Sequence, residues 1–387
     1  MGEWKECRLG DVGLLQRGRS RHRPRYAFHL YGGKYPFIQT GEIREARKYI
    51  RKYNQTYNEA GLEQSKLWPA GTLCITIAAN IAELAILTFD ACFPDSVLGF
   101  VPNQEKVNLD FAYYTLTYFQ KELKHIGEGS VQDNINLGTF EDVLFPFPSL
   151  SEQRAIALVL SSLDDKIDLL HRQNKTLEAM AETLFRQWFV EEADKREVRQ
   201  ISDLVEFNPV RTLSKGTIAS YLEMANVNTD VFHPIEWYDR EYNSGTKFIN
   251  GDTLLARITP CLENGKSTYV TFLKEGQVGW GSTEFIVMRS ENILHPLFSY
   301  ILSKNTGFRD YAEGCLEGSS GRQRVNVDHL INFEIGIPDQ SIIVLFNRIL
   351  SGFEPKLQYN FKQIRTLEKL RDTLLPKLMS GEVRVEV

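Results

Sequence analysis

The chain has 387 residues, of which 42% are hydrophobic and 25% charged, and its formal net charge is −5. This composition is typical of globular proteins and leaves room for two or three cores. The sequence lacks the run of ~20 apolar residues that a membrane helix needs. It also lacks an apolar signal region in Met1–Gly10, and its five cysteines have no CxxC spacing. We therefore expect a cytoplasmic multidomain protein that contacts no membrane, with free thiols and no zinc site.

The first predicted element is a basic loop. The first 52 residues hold thirteen Lys/Arg and five Asp/Glu, whereas residues 53–150 hold four and twelve. Gly18 and Pro24 disfavour a helix in the segment Arg17–Arg25, which predicts an extended loop. Arginine suits phosphate and guanine because its planar group donates two parallel hydrogen bonds. A solvated loop without a partner explains the charge equally well. The candidate DNA contacts in this loop are Arg17, Arg19, Arg21, Arg23 and Arg25.

A second candidate is the polar turn "GSVQDNIN" at Gly129–Asn136, which leads into the β-like pair Ile135-Asn136. Its side chains Gln132, Asp133 and Asn134 are of the types that bind base edges, since amides suit adenine and a carboxylate accepts from cytosine. A variable surface turn is the alternative interpretation.

A helical stretch over 151–192 follows. Its apolar residues alternate at spacings of four and three, and Asn174 interrupts the series. The series consists of Ile156, Leu160, Leu163, Ile167, Leu170, Leu177, Ala181, Leu184 and Trp188. Such a narrow stripe sustained over several heptads predicts a coiled coil. An amphipathic helix packed on its own globular half is the alternative.

The second half contains two further polar segments, "LLARITPCLENGK" at Leu254–Lys266 and "GSSGRQRVN" at Gly318–Asn326. The latter aligns with the turn of the first half but carries different side chains, as expected for proteins that bind two unlike half-sites. The candidate DNA contacts in these segments are Arg257, Thr259, Asn264, Lys266, Arg322, Gln323 and Arg324.

A second helical stretch over 341–375 has the same periodicity. Its apolar residues are Phe346, Leu350, Phe353, Leu357, Ile364, Leu367, Leu374 and Leu378, with Asn360 and Arg371 as polar breaks. Pro355 predicts that the long helix begins near Glu354 after a shorter one, and Pro376 predicts its end. Antiparallel pairing of the two stretches would form a rod of roughly 45–60 Å. Asn174 and Asn360 would then face each other and fix the register.

The two halves are copies of each other. "KTLEAM" at Lys175–Met180 aligns with "RTLEKL" at Arg365–Leu370, and this offset of 190 residues holds without a gap from Ile135 onward. A duplicated chain predicts a pseudo-two-fold object, and duplex DNA is a common partner with two related half-sites.

Catalytic motifs are weak. The seven histidines are scattered, and the sequence has no Walker A pattern, GxGxxG or HExxH. The loose nuclease pattern formed by Pro94-Asp95 and Glu122-Leu123-Lys124 is short enough to arise by chance. We therefore expect no catalytic residues, no metal site and no cofactor bound by this chain.

Five segments resemble the specificity subunit of type I restriction–modification enzymes. They are "FPFPSLSEQRAIALVLSSLDDKIDLL" (Phe145–Leu170), "LEAMAETLFRQWF" (Leu177–Phe189), "ITPCLENGK" (Ile258–Lys266), "GRQRVN" (Gly321–Asn326) and "LRDTLLPKLMSGEVRV" (Leu370–Val385). The resemblance covers essentially the whole chain. It departs from the family at Gln340, Ile342 and Ile343, where the first copy keeps Leu150, Glu152 and Gln153.

The resemblance implies a mixed α/β fold in which a long antiparallel two-helix coiled coil separates two globular target recognition domains. The expected boundaries are 1–150 for the first domain, 151–195 for the central spacer helix, 196–338 for the second domain and 339–387 for the C-terminal helix and tail. The resemblance also implies a bipartite DNA target, two methyltransferase (M) subunits and restriction (R) subunits as partners. S-adenosylmethionine, ATP and Mg²⁺ would then act in those partners. The helix residues expected to contact methyltransferase subunits include Gln153, Arg154, Arg172, Lys356 and Arg365.

Other functions stay open. The chain could serve a related methyltransferase-only or type IIB-like system, it could be an enzyme that works without partners, or it could be a scaffold that spaces two protein-binding domains without DNA.

Overall fold

The computed structural model of the chain describes residues 4–22, 27–78, 81–128, 138, 142–191, 197–229, 231–319 and 321–385. The chain forms two compact units. Unit 1 comprises Met1–Asp168 and Thr366–Val387, and unit 2 comprises Leu169–Arg365. Each unit contains a globular part and a portion of each of two long helices.

Unit 1 is built on two sheets. Its strands are β1 (Lys5–Cys7), β2 (Gly13–Arg17), β3 (Tyr31–Phe37), β4 (Tyr49–Ile50), β5 (Gln55–Tyr57), β6 (Leu67–Trp68), β7 (Leu73–Thr76), β8 (Leu84–Leu87), β9 (Ala91–Cys92), β10 (Val97–Pro102) and β11 (Phe145–Phe147). One sheet has the order β2-β10-β7-β8-β4 and the other β5-β3-β9-β6, while β1 pairs with β11. The shorter helices are α1 (Leu9–Val12), α2 (Thr40–Glu45), α3 (Glu59–Glu63), α4 (Leu109–Tyr118) and α5 (Gln120–Glu128), with a 3₁₀ turn at Phe28–Leu30.

The larger sheet of unit 1 is covered on both faces, which explains why β7 and β8 are continuous apolar runs. Successive side chains of a strand point to opposite faces. Leu73 and Ile75 therefore pack in one core with Phe111 of α4, whereas Cys74 packs in a second core with Trp68 of the other sheet.

Unit 2 repeats this architecture. Its strands are β12 (Glu197–Gln200), β13 (Val205–Phe207), β14 (Ile218–Leu222), β15 (Tyr238–Glu241), β16 (Thr246–Phe248), β17 (Thr253–Ala256), β18 (Ser267–Tyr269), β19 (Gly279–Gly281), β20 (Phe285–Ser290), β21 (Leu316–Glu317), β22 (Arg324–Val325) and β23 (Glu334–Ile337). The sheet orders are β13-β20-β17-β18 and β15-β14-β19-β16, with β12–β23 and β21–β22 as two-stranded pairs. Leu255 packs with Phe298 on one face of the first sheet, and Leu254 packs with Phe248 on the other.

The helical elements of this half follow the same plan. They are α6 (Leu150–Phe185), which continues as a π-helical stretch at Arg186–Glu191, then α7 (Leu297–Lys304), α8 (Thr306–Gly314), α9 (Val327–Leu330) and α10 (Gln340–Met379), with 3₁₀ turns at Ile201–Asp203 and Met224–Asn226. None of the described helices combines the length and the apolar character that a membrane crossing requires.

The two units correspond strand by strand. In the first sheet β2, β10, β7 and β8 match β13, β20, β17 and β18, and all neighbours are antiparallel in both units. In the second sheet β3 runs parallel to β9, as β14 does to β19, and the outer strands are antiparallel in both. The duplication therefore includes the strand-rich region before Ile135, where the ungapped sequence offset does not extend.

The long helices α6 and α10 pair antiparallel within each unit. In unit 1, Asp164 of α6 contacts Arg371 of α10. In unit 2, Asn174 contacts Asn360, and the rings of Phe189 and Phe346 are 5.2 Å apart. Residue numbers rise along α6 as they fall along α10, so the predicted antiparallel pair and the mixed α/β fold with its internal duplication are confirmed. The apolar residues of both helices also join the cores of the globular parts.

Both proline-based predictions for α10 are wrong. The helix is continuous over Gln340–Met379, with Pro355 in its interior and Pro376 in its last turn, so it neither begins near Glu354 nor ends before Pro376. A proline costs ~3 kcal/mol in a helix interior. The residues on both sides of Pro355 lie in the core of unit 2, and Leu378 lies in the core of unit 1. This burial outweighs the local cost.

Candidate nucleic-acid interface

The structure brings together the two polar segments of unit 2. The connection between β17 and β18 runs beside β22, where the backbone N–H of Val325 donates to the carbonyl of Arg257 at 2.8 Å. The N–H of Thr259 donates to the carbonyl of Gln323 at 3.1 Å, and Ile258 forms an isolated bridge with Arg324. Two segments that are about 60 residues apart in sequence thus form one surface.

Glu284, just before β20, organises the arginines of this surface. Its Oε2 and Oε1 accept hydrogen bonds from Nε and Nη2 of Arg324 at 2.9 and 2.7 Å. Its backbone carbonyl accepts from the N–H of Arg257 at 2.9 Å, while Arg257 Nη2 donates to the carbonyl of Val325 at 3.0 Å. The hydrogen bonds to Glu284 raise the pKa of Arg324 above its usual value.

An open cleft of about 560 Å³ lies between these arginines and the start of α9. Arg257, Arg324 and Asn326 supply donors to the cleft, and Glu317 and Asp328 supply acceptors. Asn326 is itself fixed, because its Nδ2 donates to Glu317 at 2.9 Å and its Oδ1 accepts from the N–H of Asp328 at 2.9 Å. The cleft therefore offers both signs of hydrogen-bonding group, which is what the edge of a base pair requires.

The other predicted residues of unit 2 divide into bound and exposed groups. Thr259 is buried, and Lys266 Nζ donates to the carbonyl of Met224 at 3.1 Å. Asn264 and Arg322 are exposed, on the β17–β18 connection and on the turn before β22. Gly265 has a φ of +70°, and a Cβ there would lie 2.9 Å from the guanidinium of Arg309, so this turn requires glycine.

The basic segment of unit 1 is only partly available. Arg19 turns onto the end of α3, where Nη2 donates to the carbonyls of Ser65 and Glu63. The Nε of Arg17 donates to the carbonyl of Asp95 at 2.6 Å, whereas the side chain of Arg21 is exposed. The cations of this segment are therefore not equivalent, although they look equivalent in the sequence.

Five predicted residues cannot be placed. Arg23 and Arg25 of the basic segment, and Gln132, Asp133 and Asn134 of the first polar turn, lie outside the described residues. Their DNA contacts stay predictions, as do those of the residues that are described.

The polar breaks in the helix pair are matched in both units. In unit 2, Asn360 Nδ2 donates to Asn174 Oδ1 at 2.8 Å, and both side chains are buried. In unit 1, Arg371 Nη1 donates to Asp164 Oδ1 at 2.8 Å, while Tyr114 OH of α4 donates to Asp164 Oδ2 at 2.6 Å. Burial alone would lower the pKa of Arg371, but the hydrogen bond and charge of Asp164 raise it above its usual value.

Sequence reasoning missed Glu284 and Asp164. Nothing in the sequence links Glu284 to an arginine 40 residues away. Arg371 at a seam position of α10 was a usable signal, because a cation at a buried position needs an acidic partner on the facing helix.

One expected partner contact on α6 is wrong. Gln153 is only 2% exposed, since its amide accepts from the N–H of Asn108 and donates to the carbonyl of Pro148, each at 3.0 Å. Gln153 therefore anchors the start of α6. Arg154 and Arg172 are exposed, and so are Lys356 and Arg365 of α10.

Comparisons with known proteins agree on one family. The family described as "Type I restriction modification DNA specificity domain" matches residues 1–179. The type I restriction enzyme MjaIX specificity subunit of Methanocaldococcus jannaschii is 27% identical over 419 aligned residues, which cover 99% of this chain and 94% of that protein. The EcoAI specificity subunit of Escherichia coli is 29% identical over 193 residues, or 47% of this chain and 32% of that protein.

A solved structure has the same fold. The crystal structure of the type I restriction–modification S subunit from M. genitalium has a TM-score of 0.58 with 16% sequence identity, and the match covers 99% of this chain and 96% of that one.

Proposed function

Because the chain belongs to the family of type I restriction enzyme specificity subunits, we propose that it recognises a bipartite double-stranded DNA target, one half-site through each globular part. The first part corresponds to residues 1–150 and the second to residues 196–338.

The observation that carries this proposal is the repeated two-sheet topology with different polar side chains at its edges. The buried strands of the two units correspond one by one. The exposed residues do not: unit 1 presents the basic segment that ends in Arg21 and His22, and unit 2 presents the cleft with Arg257 and Arg324. A shared scaffold with different polar residues suits the recognition of two unlike half-sites.

We further propose that this chain supplies recognition and no catalytic group. Two methyltransferase (M) subunits would dock on the exposed cationic faces of α6 and α10, which include Arg154, Arg172, Lys356 and Arg365, and restriction (R) subunits would join that assembly. S-adenosylmethionine, ATP and Mg²⁺ would be bound by these partners. A target adenine must leave the stacked duplex to be methylated, so it would be flipped into a methyltransferase subunit.

An exchange of recognition segments tests the two-part proposal. Residues 196–338 are replaced by the same segment of a relative, the chimera is co-expressed with its methyltransferase subunits, and the methylated motif is determined by methylation-aware sequencing. Only one half of the motif is expected to change. The matched control replaces residues 1–150 from the same relative and should change only the other half. If both halves change in either chimera, the recognition is not divided between the two globular parts.

A length change in the helix pair tests its role as a spacer. Inserting four residues near Asn174 lengthens one helix by ~6 Å, which is close to two base-pair steps of ~3.4 Å. The expected motif keeps both half-sites, and its gap is longer by one or two base pairs. An unchanged gap would mean that the helices do not set the spacing.

A further inference from the structure

Two large apolar side chains are almost completely exposed. Phe28 is 96% exposed and Val210 is 93% exposed, more than any other large apolar side chain that the structure describes. Single exposed apolar residues are common on protein surfaces. Their positions in the fold are what make these two informative.

Phe28 and Val210 occupy the same connection in the two copies. Phe28 lies between β2 and β3, and Val210 lies between β13 and β14. These strand pairs are equivalent in the two units, because β2 and β13 are the outer strands of the first sheet and β3 and β14 are inner strands of the second. The sequences of the two connections share no pattern, yet each presents one apolar side chain to solvent.

Phe28 protrudes from a fixed base. It begins the 3₁₀ turn at Phe28–Leu30, in which Leu30 is buried. Asn58 Nδ2 donates to the carbonyl of His29 at 2.9 Å, and the N–H of Asn58 donates to the carbonyl of Leu30 at 3.0 Å. The rings of His22 and His29 lie 4.9 Å apart, which joins the basic segment to this turn.

Val210 is held from both sides. The N–H of Asn208 donates to the carbonyl of Val287 at 2.7 Å, and Asn208 Oδ1 accepts from the N–H of Val287 at 3.0 Å. On the other side, the guanidinium of Arg211 pairs with the buried carboxylate of Asp252 at 3.4 Å, and Lys247 Nζ donates to the carbonyl of Arg211 at 3.1 Å. Preorganised side chains lose little conformational entropy when they bind a partner.

We propose that Phe28 and Val210 are equivalent base-contacting residues, each pressing its apolar side chain against the bases of its own DNA half-site. This inference rests on the proposed function and names the contact chemistry of the same surface. Exposed cations lie on both connections, Arg21 before Phe28 and Lys215 after Val210, and they suit the phosphates on either side of a groove. An apolar side chain gains nothing from phosphates, whereas thymine methyl groups and base faces offer apolar contact.

The test measures DNA binding by the complex of the full chain with its methyltransferase subunits, using a duplex that carries the methylated motif. Phe28→Ala is expected to weaken binding about tenfold, as the loss of one aromatic–base contact would, and to leave the slope of log K against log salt unchanged because no phosphate contact is lost. Val210→Ala is expected to weaken binding less, since valine offers a smaller apolar surface. Each variant should relax the methylated motif in one half only, and the two halves should differ.

The matched control is Val198→Ala on β12, an exposed valine outside these connections, which is expected to bind like the wild type. The melting temperatures of Phe28→Ala and Val210→Ala should equal that of the wild type, because neither side chain is packed.

Wild-type affinity and an unchanged motif in Phe28→Ala and Val210→Ala would overturn the inference while leaving the proposed function intact. A reduced salt slope in Phe28→Ala would overturn it as well, by assigning the effect to lost phosphate contacts. If the wild-type complex does not distinguish the motif duplex from a scrambled one, the proposed function fails, and the inference that rests on it fails too.

Discussion

Unit 1 and unit 2 have the same paired strands in the same order, but they differ in the polar groups that are placed inside. In the helix pair, unit 1 has the ion pair of Asp164 and Arg371, whereas unit 2 has the amide pair of Asn174 and Asn360. Both breaks lie in an apolar seam, and both are hydrogen-bonded. The apolar framework is thus retained between the copies, and the buried polar groups have changed together with their partners, because an unpaired buried polar group is costly.

The same contrast holds for the arginines that the sequence predicts to contact DNA. Arg19 of unit 1 is bound to the carbonyl groups at the end of α3, and Arg324 of unit 2 is bound to Glu284. Arg21 and Arg322 are exposed. A cation in a basic cluster is therefore available to a phosphate only if the fold has not already used it, and the two units use theirs differently.

The largest expected effect comes from breaking the ion pair in unit 1. Asp164→Ala leaves the guanidinium of Arg371 and the hydroxyl of Tyr114 without their shared acceptor in a mostly buried place, and it should lower the free energy of unfolding by about 3 kcal/mol. Chemical denaturation followed by circular dichroism measures this. The control is Asp372→Ala, which removes the exposed partner of the same arginine and should cost less than ~1 kcal/mol. Equal losses would mean that burial does not distinguish the two pairs.

How much of this was predictable depends on how local the signal is. The seam of each long helix follows from apolar spacing because its period is local, and the positions of Asn174 and Asn360 in that seam placed the two amides opposite each other. The two prolines in α10 misled the prediction because the burial that outweighs them comes from the globular parts. The strand correspondence before Ile135 could not be read, since sheet order depends on pairing between distant segments and the side chains have diverged.

The candidate site was predicted in outline only. The segments that contain Arg257 and Arg324 were identified by residue type, and they do lie side by side. Which of their side chains are bound by the protein was not predictable, because that depends on Glu284, which lies elsewhere in the sequence. Phe28 and Val210 gave no signal, since exposure of one apolar residue is not a sequence pattern.

A buried carboxyl of unit 2 offers the second comparison. Glu178 of α6 accepts a hydrogen bond from Tyr300 OH at 2.9 Å, but within the described residues it has no ion-pair partner of the kind that Asp164 has. Burial raises the pKa of Glu178 from its ordinary value near 4.5 to about 7, although the hydrogen bond from Tyr300 acts in the opposite direction. The folded protein therefore keeps a proton that the unfolded chain releases.

The stability contributed by that proton is fully present below about pH 4.5 and is lost as the pH rises through about 7. Glu178→Gln keeps an acceptor for Tyr300 and cannot ionise. Between pH 5 and pH 8 the wild type should lose between ~1 and ~3 kcal/mol of unfolding free energy relative to this variant. Urea titrations at both pH values measure the difference. Glu182→Gln, at a more exposed carboxyl of the same helix, is the control and should show a smaller change. Parallel pH profiles for the wild type and Glu178→Gln would contradict the prediction.

Releasing Arg324 sharpens the comparison of the arginines. Glu284→Gln removes the negative charge that neutralises Arg324 while keeping one acceptor, so stability should fall by only ~1 kcal/mol because the pair is partly exposed. If Arg324 then becomes free to bind a phosphate, the slope of log K against log salt should steepen by about one. Salt titrations of DNA binding measure the slope. The same titration with Glu263→Gln, an exposed acid of the neighbouring turn, controls for a general change in charge. A slope unchanged from wild type in Glu284→Gln would mean that Arg324 has no phosphate within reach.

The smallest effects on stability are expected in the basic segment of unit 1, where two arginines should separate. Arg21 is exposed, so Arg21→Ala should leave the melting temperature unchanged and reduce the salt slope by about one if it contacts a phosphate. Arg19 is bound to the end of α3, so Arg19→Ala should cost ~1 kcal/mol of unfolding free energy, as the loss of a charged hydrogen bond at a helix C-terminus would, and leave the slope nearly unchanged. Each variant is thus the control for the other. The opposite assignment, with the slope reduced in Arg19→Ala and unchanged in Arg21→Ala, would mean that the contacts of Arg19 in the free protein are exchanged for phosphate contacts on binding, and the availability of a cation could then not be judged from its hydrogen bonds in the free chain.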